Sequence, residues 1–401
     1  MRKKRNIKIM SIALIIVLVC ISIIYFKNDS KEILATSKEY NSELEENEHM
    51  HLEEDANGDK VPVPNGYVGS KATGENEIDT GYVIYEGTED VNNENVEEAQ
   101  KTRNQYVWIP VPDANKMYGT DENGKKWGKL YEFTTDTGDN IDSITGAKPL
   151  NWSESNGVIK ILNKSGNREP DVITNNDFSS FDFNSKLKNM QLEIENLHDF
   201  LMQLEKEFNN MVESVKKYGG FYMGRYETGD ISKNKVVIRK YNTNLASQAW
   251  YTMYRKCKEI NSENNNVETG MIWSCQWDRV LIWLIESKNK TLEEICKDSI
   301  NWGNYINSTF EFKNSSGKVE TKNEGERKII PSGSSEYTKA NNIYDLAGNV
   351  REWNIESYYR GRISRGGCTT YSSDNQPSSN RYNEPMISYI DLGCRAMLYI
   401  K

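Results

Sequence analysis

The cysteine and histidine residues limit the chemistry that this chain can perform. The sequence of 401 residues contains six cysteines and three histidines, which are His49, His51 and His198. Because no histidine follows residue 198, the second half lacks the imidazoles that a multi-histidine metal centre, a Ser/His pair or a Cys/His pair requires. His49 and His51 lie among carboxylates, but no third fixed ligand accompanies them, so the sequence favours two ordinary histidines over a weak metal site.

Three short motifs near the C-terminus combine glycine with charged residues. They read Asn342-Ile-Tyr-Asp-Leu-Ala-Gly-Asn-Val-Arg-Glu-Trp353, Arg365-Gly-Gly-Cys368 and Leu392-Gly-Cys-Arg-Ala396. Gly348 and Asn349 form a turn pair that tolerates positive φ, and glycines 366 and 367 permit close approach of two backbones. Glu352 and Arg395 are opposite charges with apolar neighbours. Since buried charges are tolerated mainly when paired and hydrogen-bonded, we expect these two side chains to meet.

This series of motifs resembles the formylglycine-generating enzyme (sulfatase-modifying factor) family. The family's tail reads N-x-Y-D-M-x-G-N-V-x-E-W, then R-G-G-S, an R-x-x-R-like stretch and G-F-R. Residues 219–228 resemble its F-x-I-x-K-Y-E-V-T segment, and Trp277 stands where the family has P-T-E-A-E-W-E. The resemblance covers about residues 61–401 and implies an α+β fold, a variant of the C-type lectin fold with low regular secondary structure. The residues it assigns to structural motifs are Gly348, Asn349, Glu352, Trp353, Arg365, Gly366, Gly367, Gly393 and Arg395.

The resemblance also suggests a calcium site. Family members bind calcium through oxygen ligands near the G-N-V-x-E-W turn, where Asn349, Val350 and Glu352 match the pattern, and oxygen ligands suit Ca²⁺. One carboxylate does not comfortably serve both a metal and an arginine. We therefore favour the pairing of Glu352 with Arg395 and keep calcium as the alternative.

The sequence lacks the pair of cysteines on which catalysis in this family depends. The family's oxidase activity relies on two cysteines four residues apart after R-G-G-S, which bind copper as thiolates. Residues 369–381 contain no cysteine, so copper is not expected. Cys368 and Cys394 replace the serine of R-G-G-S and the phenylalanine of G-F-R, and they are only weak catalytic candidates. If their segments are neighbouring strands, a disulfide or two-coordinate metal site is one alternative, but two small buried hydrophobic side chains are favoured.

Some family members bind ligands through a surface near the tail, among them the variable proteins of diversity-generating retroelements. Tyrosine, serine and asparagine supply rigid contact area and adaptable hydrogen bonds for such binding. The matching residues are Tyr358, Tyr359, Arg362, Tyr371, Asp374, Asn375, Arg381 and Tyr382. The same residues also fit an ordinary surface loop. We expect a non-catalytic module for a glycan, peptide or protein ligand, with a formylglycine-generating-type oxidoreductase or related metal-dependent enzyme of altered active site as the alternative.

The N-terminal segment predicts a membrane anchor. Residues 1–8 form a basic stub, and residues 9–26 are almost wholly apolar and long enough to cross a bilayer as one helix. The basic flank then stays cytoplasmic, which makes this a single-pass protein of the cell membrane with its C-terminal domain outside. A cleaved signal peptide and lipidation at Cys20 are the alternatives. Residues 27–60 are polar and acidic, which predicts a flexible stalk.

The remaining elements must position the motifs. Order is expected from residue 61, with a loop-rich insertion at about 113–183 and a long amphipathic helix at 184–217. The apolar seam of this helix, residues 187–215, predicts packing on the protein's own sheet, with self-association as the alternative. Further helices are predicted at 246–260 and 275–287. The net charge of -9 argues against binding to nucleic acid, because phosphate neutralisation needs clustered cations.

Overall fold

The computed structural model describes residues 43–111, 152–155, 158–161 and 197–401, apart from residues 233–234, 245, 315, 359–360 and 385–388. The predicted stub, the predicted membrane span and most of the predicted insertion lie outside these residues. Within them, no helix combines the length and the apolar character needed to cross a membrane.

Strands predominate and helices are few, so the fold is mixed α and β. The helices are α1 (Val96–Thr102), α2 (Leu197–Tyr218), α3 (Trp250–Glu259), α4 (Ser274–Glu286) and α5 (Leu292–Cys296), with short 3₁₀ turns at Ile300–Trp302 and Glu336–Thr338. The strands are β1 (Met50–Glu54), β2 (Lys60–Pro64), β3 (Tyr67–Gly69), β4 (Val83–Glu86), β5 (Gln105–Pro110), β6 (Trp152–Ser155), β7 (Val158–Ile161), β8 (Gly220–Gly224), β9 (Gly229–Ser232), β10 (Lys235–Val237), β11 (Val267–Met271), β12 (Phe310–Lys313), β13 (Val319–Lys322), β14 (Lys339–Ala340), β15 (Ile343–Tyr344), β16 (Arg351–Tyr358), β17 (Gly361–Arg365), β18 (Arg381–Glu384), β19 (Leu392–Cys394) and β20 (Ala396–Ile400).

The larger sheet has six strands in the order β11-β20-β8-β5-β4-β3, and every neighbouring pair is antiparallel. Residues 105–109 of β5 are all buried, as expected for a strand covered on both faces. Strands β5 and β8 pair directly although they lie far apart in the chain, with Pro110 opposite Gly220. The chain therefore leaves this sheet and returns to it at neighbouring points.

The smaller sheet brings the three tail motifs together. Its order is β18-β17-β16-β19, in which β16 and β19 are parallel and the other pairs are antiparallel. In this register Glu352 lies opposite Arg365 on one side and opposite Gly393 on the other. Strand β16 thus lies between β17 and β19 and holds the residues of the three motifs next to one another. Helix α4 packs against both β16 and β5 and so joins the two sheets.

The segment predicted as a flexible stalk ends in a hairpin, which corrects the boundary at residue 61. Strand β1 pairs with β2, with Met50 opposite Pro64, and Met50 is buried in the core. His51 lies 3.1 Å from the Glu53 carboxylate, measured from Nε2 to Oε1, and Asp55 Oδ1 accepts the backbone N–H groups of the turn residues 57 and 59. The acidic side chains in this part stabilise a hairpin, whereas the composition had suggested a solvated tether.

Helix α2 lies against the larger sheet, where it packs on β8 and β20. Of the predicted apolar seam, Leu204, Met211 and Val215 are buried and Phe208 is partly buried against the core. Phe200 is also buried, although it is not part of the predicted seam. These seam residues therefore pack within the same chain. The predicted first part of this helix, residues 184–196, lies outside the described residues.

Candidate functional site

Glu352 and Arg395 form the ion pair predicted from the sequence, and both side chains are buried. Arg395 donates from Nη2 to Glu352 Oε1 at 2.6 Å and from Nε to Glu352 Oε2 at 2.9 Å. Its remaining contacts are the carbonyls of Gly224 at 3.0 Å and Tyr344 at 2.9 Å. Both carboxylate oxygens of Glu352 are thus engaged by the guanidinium, and the arginine ties the smaller sheet to β8 and β15.

The polar atoms of Asn349 are also engaged by protein groups. Its side-chain oxygen accepts from Asn304 Nδ2 at 2.9 Å and from the Ile330 N–H at 3.0 Å. Its side-chain nitrogen donates to Glu227 Oε2 at 2.7 Å. The side-chain oxygens of Asn349 and Glu352, which the calcium alternative would use, are thus already occupied by protein donors.

Glu227 is the carboxylate that sequence reasoning missed. It lies just beyond β8, is buried, and accepts from both Asn349 and the Val350 N–H, the latter at 3.2 Å. Burial, and then the nearby carboxylates of Asp345 and Glu352, raise the pKa of Glu227 well above its usual range. The signal available in the sequence was a glutamate within residues 219–228, the segment that carries part of the family resemblance.

Two further buried arginines hold the region around the motifs. Arg365 donates from Nη2 to Asp278 Oδ1 at 2.6 Å and from Nε to the Asn380 carbonyl at 3.0 Å, which ties β17 to α4. Arg351 binds Glu384 and Asp391, the latter at 3.0 Å between Nη2 and Oδ1. The charged residues around the motifs therefore stabilise the interior of this domain. Trp353 is buried beside them.

The glycines of the motifs allow backbone contacts that a side chain would block. Gly348 has φ of +75°, and a Cβ there would lie 2.3 Å from the Asn304 carbonyl oxygen. Gly367 has φ of +73°, and a Cβ there would lie 2.3 Å from the Gln376 carbonyl oxygen. Gly366 accepts from the Gly348 N–H at 2.7 Å. The first two motifs thus meet backbone to backbone.

Cys368 and Cys394 have different neighbours, so the alternative in which they pair with each other is wrong. Cys368 donates to Asp391 Oδ2 at 3.2 Å, whereas Cys394 lies beside Cys257. The physical reason is strand order: Cys394 ends β19, Cys368 follows β17, and β16 lies between these strands. Both thiols are buried, and burial raises the pKa of Cys368 to about 12.

Three of the predicted ligand-binding residues are buried, which removes them from an accessible surface. Arg362 lies over the Trp250 ring at 4.7 Å from the centroid and donates to the Ile355 carbonyl at 2.8 Å. Arg381 and Tyr382 are 2% and 8% exposed. Their positions on paired strands turn them inward, which a sequence rich in polar side chains did not indicate. Tyr359 lies outside the described residues, and of Tyr358 only the strand is described.

The other three predicted residues lie on the loop between β17 and β18, residues 366–380, here called the 366–380 loop. Asp374 is exposed, and Tyr371 and Asn375 are partly exposed. The loop is fixed beneath them. Ser373 Oγ lies 2.5 Å from Asp298 Oδ1, and the Ser373 N–H donates to Asn307 Oδ1 at 3.1 Å. An aromatic, a carboxylate and an amide are therefore presented on a hydrogen-bonded loop.

Comparisons with known proteins add little to this geometry. No protein-family model matches the chain, and no curated protein matches it. A solved structure, Treponema denticola variable protein 1, is similar over 45% of this chain and 84% of that chain, with 16% identity and a TM-score of 0.27. A likeness at this TM-score carries no argument about fold or function.

Proposed function

We propose that this chain is a membrane-anchored, extracytoplasmic domain of the sulfatase-modifying-factor type, with the family's variant of the C-type lectin fold, and that it binds a ligand without catalysing a reaction. The anchor is the apolar segment 9–26, and the fold is inferred from the tail motifs. The smaller sheet supports this assignment because it places those motifs side by side, as a shared structural role requires.

One observation carries the binding function. On the 366–380 loop, the side chains of Tyr371, Asp374 and Asn375 are at least partly exposed. The same loop is fixed by hydrogen bonds from Ser373 to Asp298 and Asn307. A loop that is already ordered loses little conformational freedom on binding, so more of the contact energy remains as affinity. Binding sites also commonly lie on loops that a rigid scaffold positions.

The use of the motif residues supports a non-catalytic role. Glu352, Arg365 and Arg395 are buried and take part in internal ion pairs. A catalytic group must reach the substrate, and the buried Cys368 thiol, with its raised pKa, is a poor nucleophile or copper ligand as it stands. The ligand is then recognised by an aromatic ring together with a carboxylate and an amide, a set that suits a glycan, a peptide or a protein surface.

Array binding tests the proposal directly. Full-length protein in detergent is applied to glycan and peptide arrays, in parallel with a variant that carries Tyr371→Ala, Asp374→Ala and Asn375→Ala. We expect a ligand class that binds the parent and loses at least tenfold in affinity with the variant, while both proteins unfold at the same temperature. Equal binding by the two proteins would place the binding surface elsewhere.

A second assay addresses catalysis. The full-length protein is incubated with a cysteine-containing sulfatase peptide, oxygen and Cu(I), and the product is analysed by mass spectrometry. We expect the peptide cysteine to be recovered unchanged. Conversion of that cysteine to formylglycine would contradict the non-catalytic role and support the oxidase.

A further inference from the structure

Three sulfur atoms meet in the core. Cys257 Sγ lies 3.6 Å from Cys394 Sγ, and Cys394 Sγ lies 3.4 Å from Met253 Sδ. The two cysteines are separated by 137 positions in the sequence. All three side chains are buried. The two thiols are thus in van der Waals contact although no local sequence pattern links them.

The surrounding elements hold this contact in place. Met253 and Cys257 are four residues apart on α3, so their side chains project from the same face of the helix. Cys394 ends β19, and its carbonyl accepts the Thr228 N–H at 2.9 Å. Helix α3 packs against β11, the strand next to β20, which continues the chain from β19. Each cysteine is therefore fixed by a different packed element.

We propose that Cys257 and Cys394 form a disulfide when the chain folds in the presence of a small-molecule disulfide such as oxidised glutathione. The sulfur atoms must approach by roughly 1.5 Å to reach the length of an S–S bond, which is within the range of side-chain rotation. Each cysteine gives up its thiol hydrogen, one S–S bond forms between the two, and the S–S bond of the oxidant breaks to give two glutathione thiols. The oxidant receives both electrons.

The timing of this reaction follows from burial. The neighbouring Cys394 thiol, together with burial, raises the pKa of Cys257 well above its usual range, so little thiolate forms once the core has closed. The bond is expected to form during folding, while both cysteines are still accessible. The proposal rests on the position of the two sulfurs and does not depend on the proposed ligand binding.

Peptide mapping tests the cross-link. Full-length protein in detergent is unfolded in guanidinium chloride, refolded with reduced and oxidised glutathione, alkylated with N-ethylmaleimide and digested. Cleavage after glutamate and before aspartate places each of the six cysteines in its own peptide. We expect residues 230–259 joined to residues 391–401, with a mass two hydrogen atoms below the sum of the two peptides. Recovery of both cysteines as alkylated thiols, or joined to other cysteines, would overturn the proposal.

Thermal unfolding provides a second readout. Closing so long a loop stabilises the folded state, so oxidised protein should unfold about 5 °C above the same protein kept in a phosphine reductant. The Cys257→Ala variant should show no difference between the two conditions, whereas Cys368→Ala, which alters another buried thiol, should retain it. An equal oxidised-to-reduced difference in Cys257→Ala would contradict the assignment, whatever the absolute stability of that variant.

Discussion

Arg395 and Glu352 form a bidentate ion pair, in which Nη2 lies 2.6 Å from Oε1 and Nε lies 2.9 Å from Oε2. The pair is buried at the junction of β19 and β20, and the carbonyls of Gly224 and Tyr344 accept from the same arginine. Four separate stretches of chain are thus joined by one side chain.

Replacement of Arg395 by methionine is expected to cost about 3–5 kcal/mol of unfolding free energy, because it leaves the Glu352 carboxylate buried without its partner. Urea denaturation measures this loss. The matched control is Lys71→Met, which breaks a surface ion pair with Asp90. The side chain of Lys71 is 61% exposed and that of Asp90 is 67% exposed. That change should cost less than about 1 kcal/mol. Equal losses would mean that the buried pair contributes no more than a surface pair.

Stability is expected to depend on pH through Glu227. Its pKa is raised in the folded state above the ordinary value of 4.5, so the folded protein retains a proton that the unfolded chain releases. The stabilising contribution is complete below pH 4.5 and is lost as the pH rises toward the folded pKa, with a slope of about 1.4 kcal/mol per pH unit.

Denaturation of Glu227→Gln between pH 4 and pH 8 tests this dependence. We expect the variant to lose less stability over this range than the parent, since glutamine carries no titrating proton. The comparison uses slopes, so a change in absolute stability caused by the altered hydrogen bond to Asn349 does not affect it. Identical slopes in the two proteins would assign the dependence to other groups.

Gly348→Ala should destabilise the fold by about 3 kcal/mol, because the residue combines positive φ with a carbonyl oxygen 2.3 Å from the new Cβ. Gly317 provides the control: its φ is +81° and nothing lies within 4 Å of a Cβ. Alanine there should cost only about 1 kcal/mol, the strain of the left-handed backbone alone. A similar loss at both positions would show that backbone strain, and not the close contact with the Asn304 carbonyl, sets the cost.

Ser373→Ala is expected to loosen the 366–380 loop without unfolding the domain, since it removes hydroxyl bonds to Asp298 and Asn307. Amide hydrogen exchange should become at least fivefold faster at residues 371–376, with a global loss of about 1–2 kcal/mol. Ser372→Ala is the control, because residue 372 fixes the loop through its backbone carbonyl. Unchanged exchange in Ser373→Ala would show that other bonds hold the loop.

Calcium should not change the unfolding temperature of the protein. Asn349 and Glu352 already bind protein partners, so neither added calcium nor a chelator should move the unfolding temperature by more than about 1 °C. A calcium ion bound only by the folded protein would instead stabilise it by an amount set by the calcium concentration and the Kd. A chelator-dependent drop that is absent in Asn349→Ala would restore the calcium interpretation.

The sequence predicted those features for which local chemistry is decisive. A glutamate and an arginine among apolar residues indicated a buried pair, and the period of apolar residues indicated helix α2. The side chains that complete the site were not predictable in this way. Glu227 reaches Asn349 from 122 positions away, and only tertiary packing shows which charged groups meet.

The sequence also predicts too much exposure for several polar residues. Arg362 and Arg381 lie in short, polar strands, for which the sequence predicts an exposed surface, but each is buried. The acidic composition around His51 and Glu53 predicts a stalk, whereas both residues lie in a strand of a hairpin. Composition reports the average environment of a segment, whereas pairing with a distant strand decides where each side chain points.

The pairing of β5 with β8 has one more consequence. Pro110 lies opposite Gly220, and the Val111 N–H donates to the Gly219 carbonyl at 2.9 Å, so the long connection between these strands begins and ends at one place on the sheet. Since the entropic cost of a connection grows only slowly with its length, a change in the length of this connection should by itself cost the pairing of β5 with β8 little. The connection between β5 and β8 is therefore a position at which a new module can be inserted while the tail motifs keep their register.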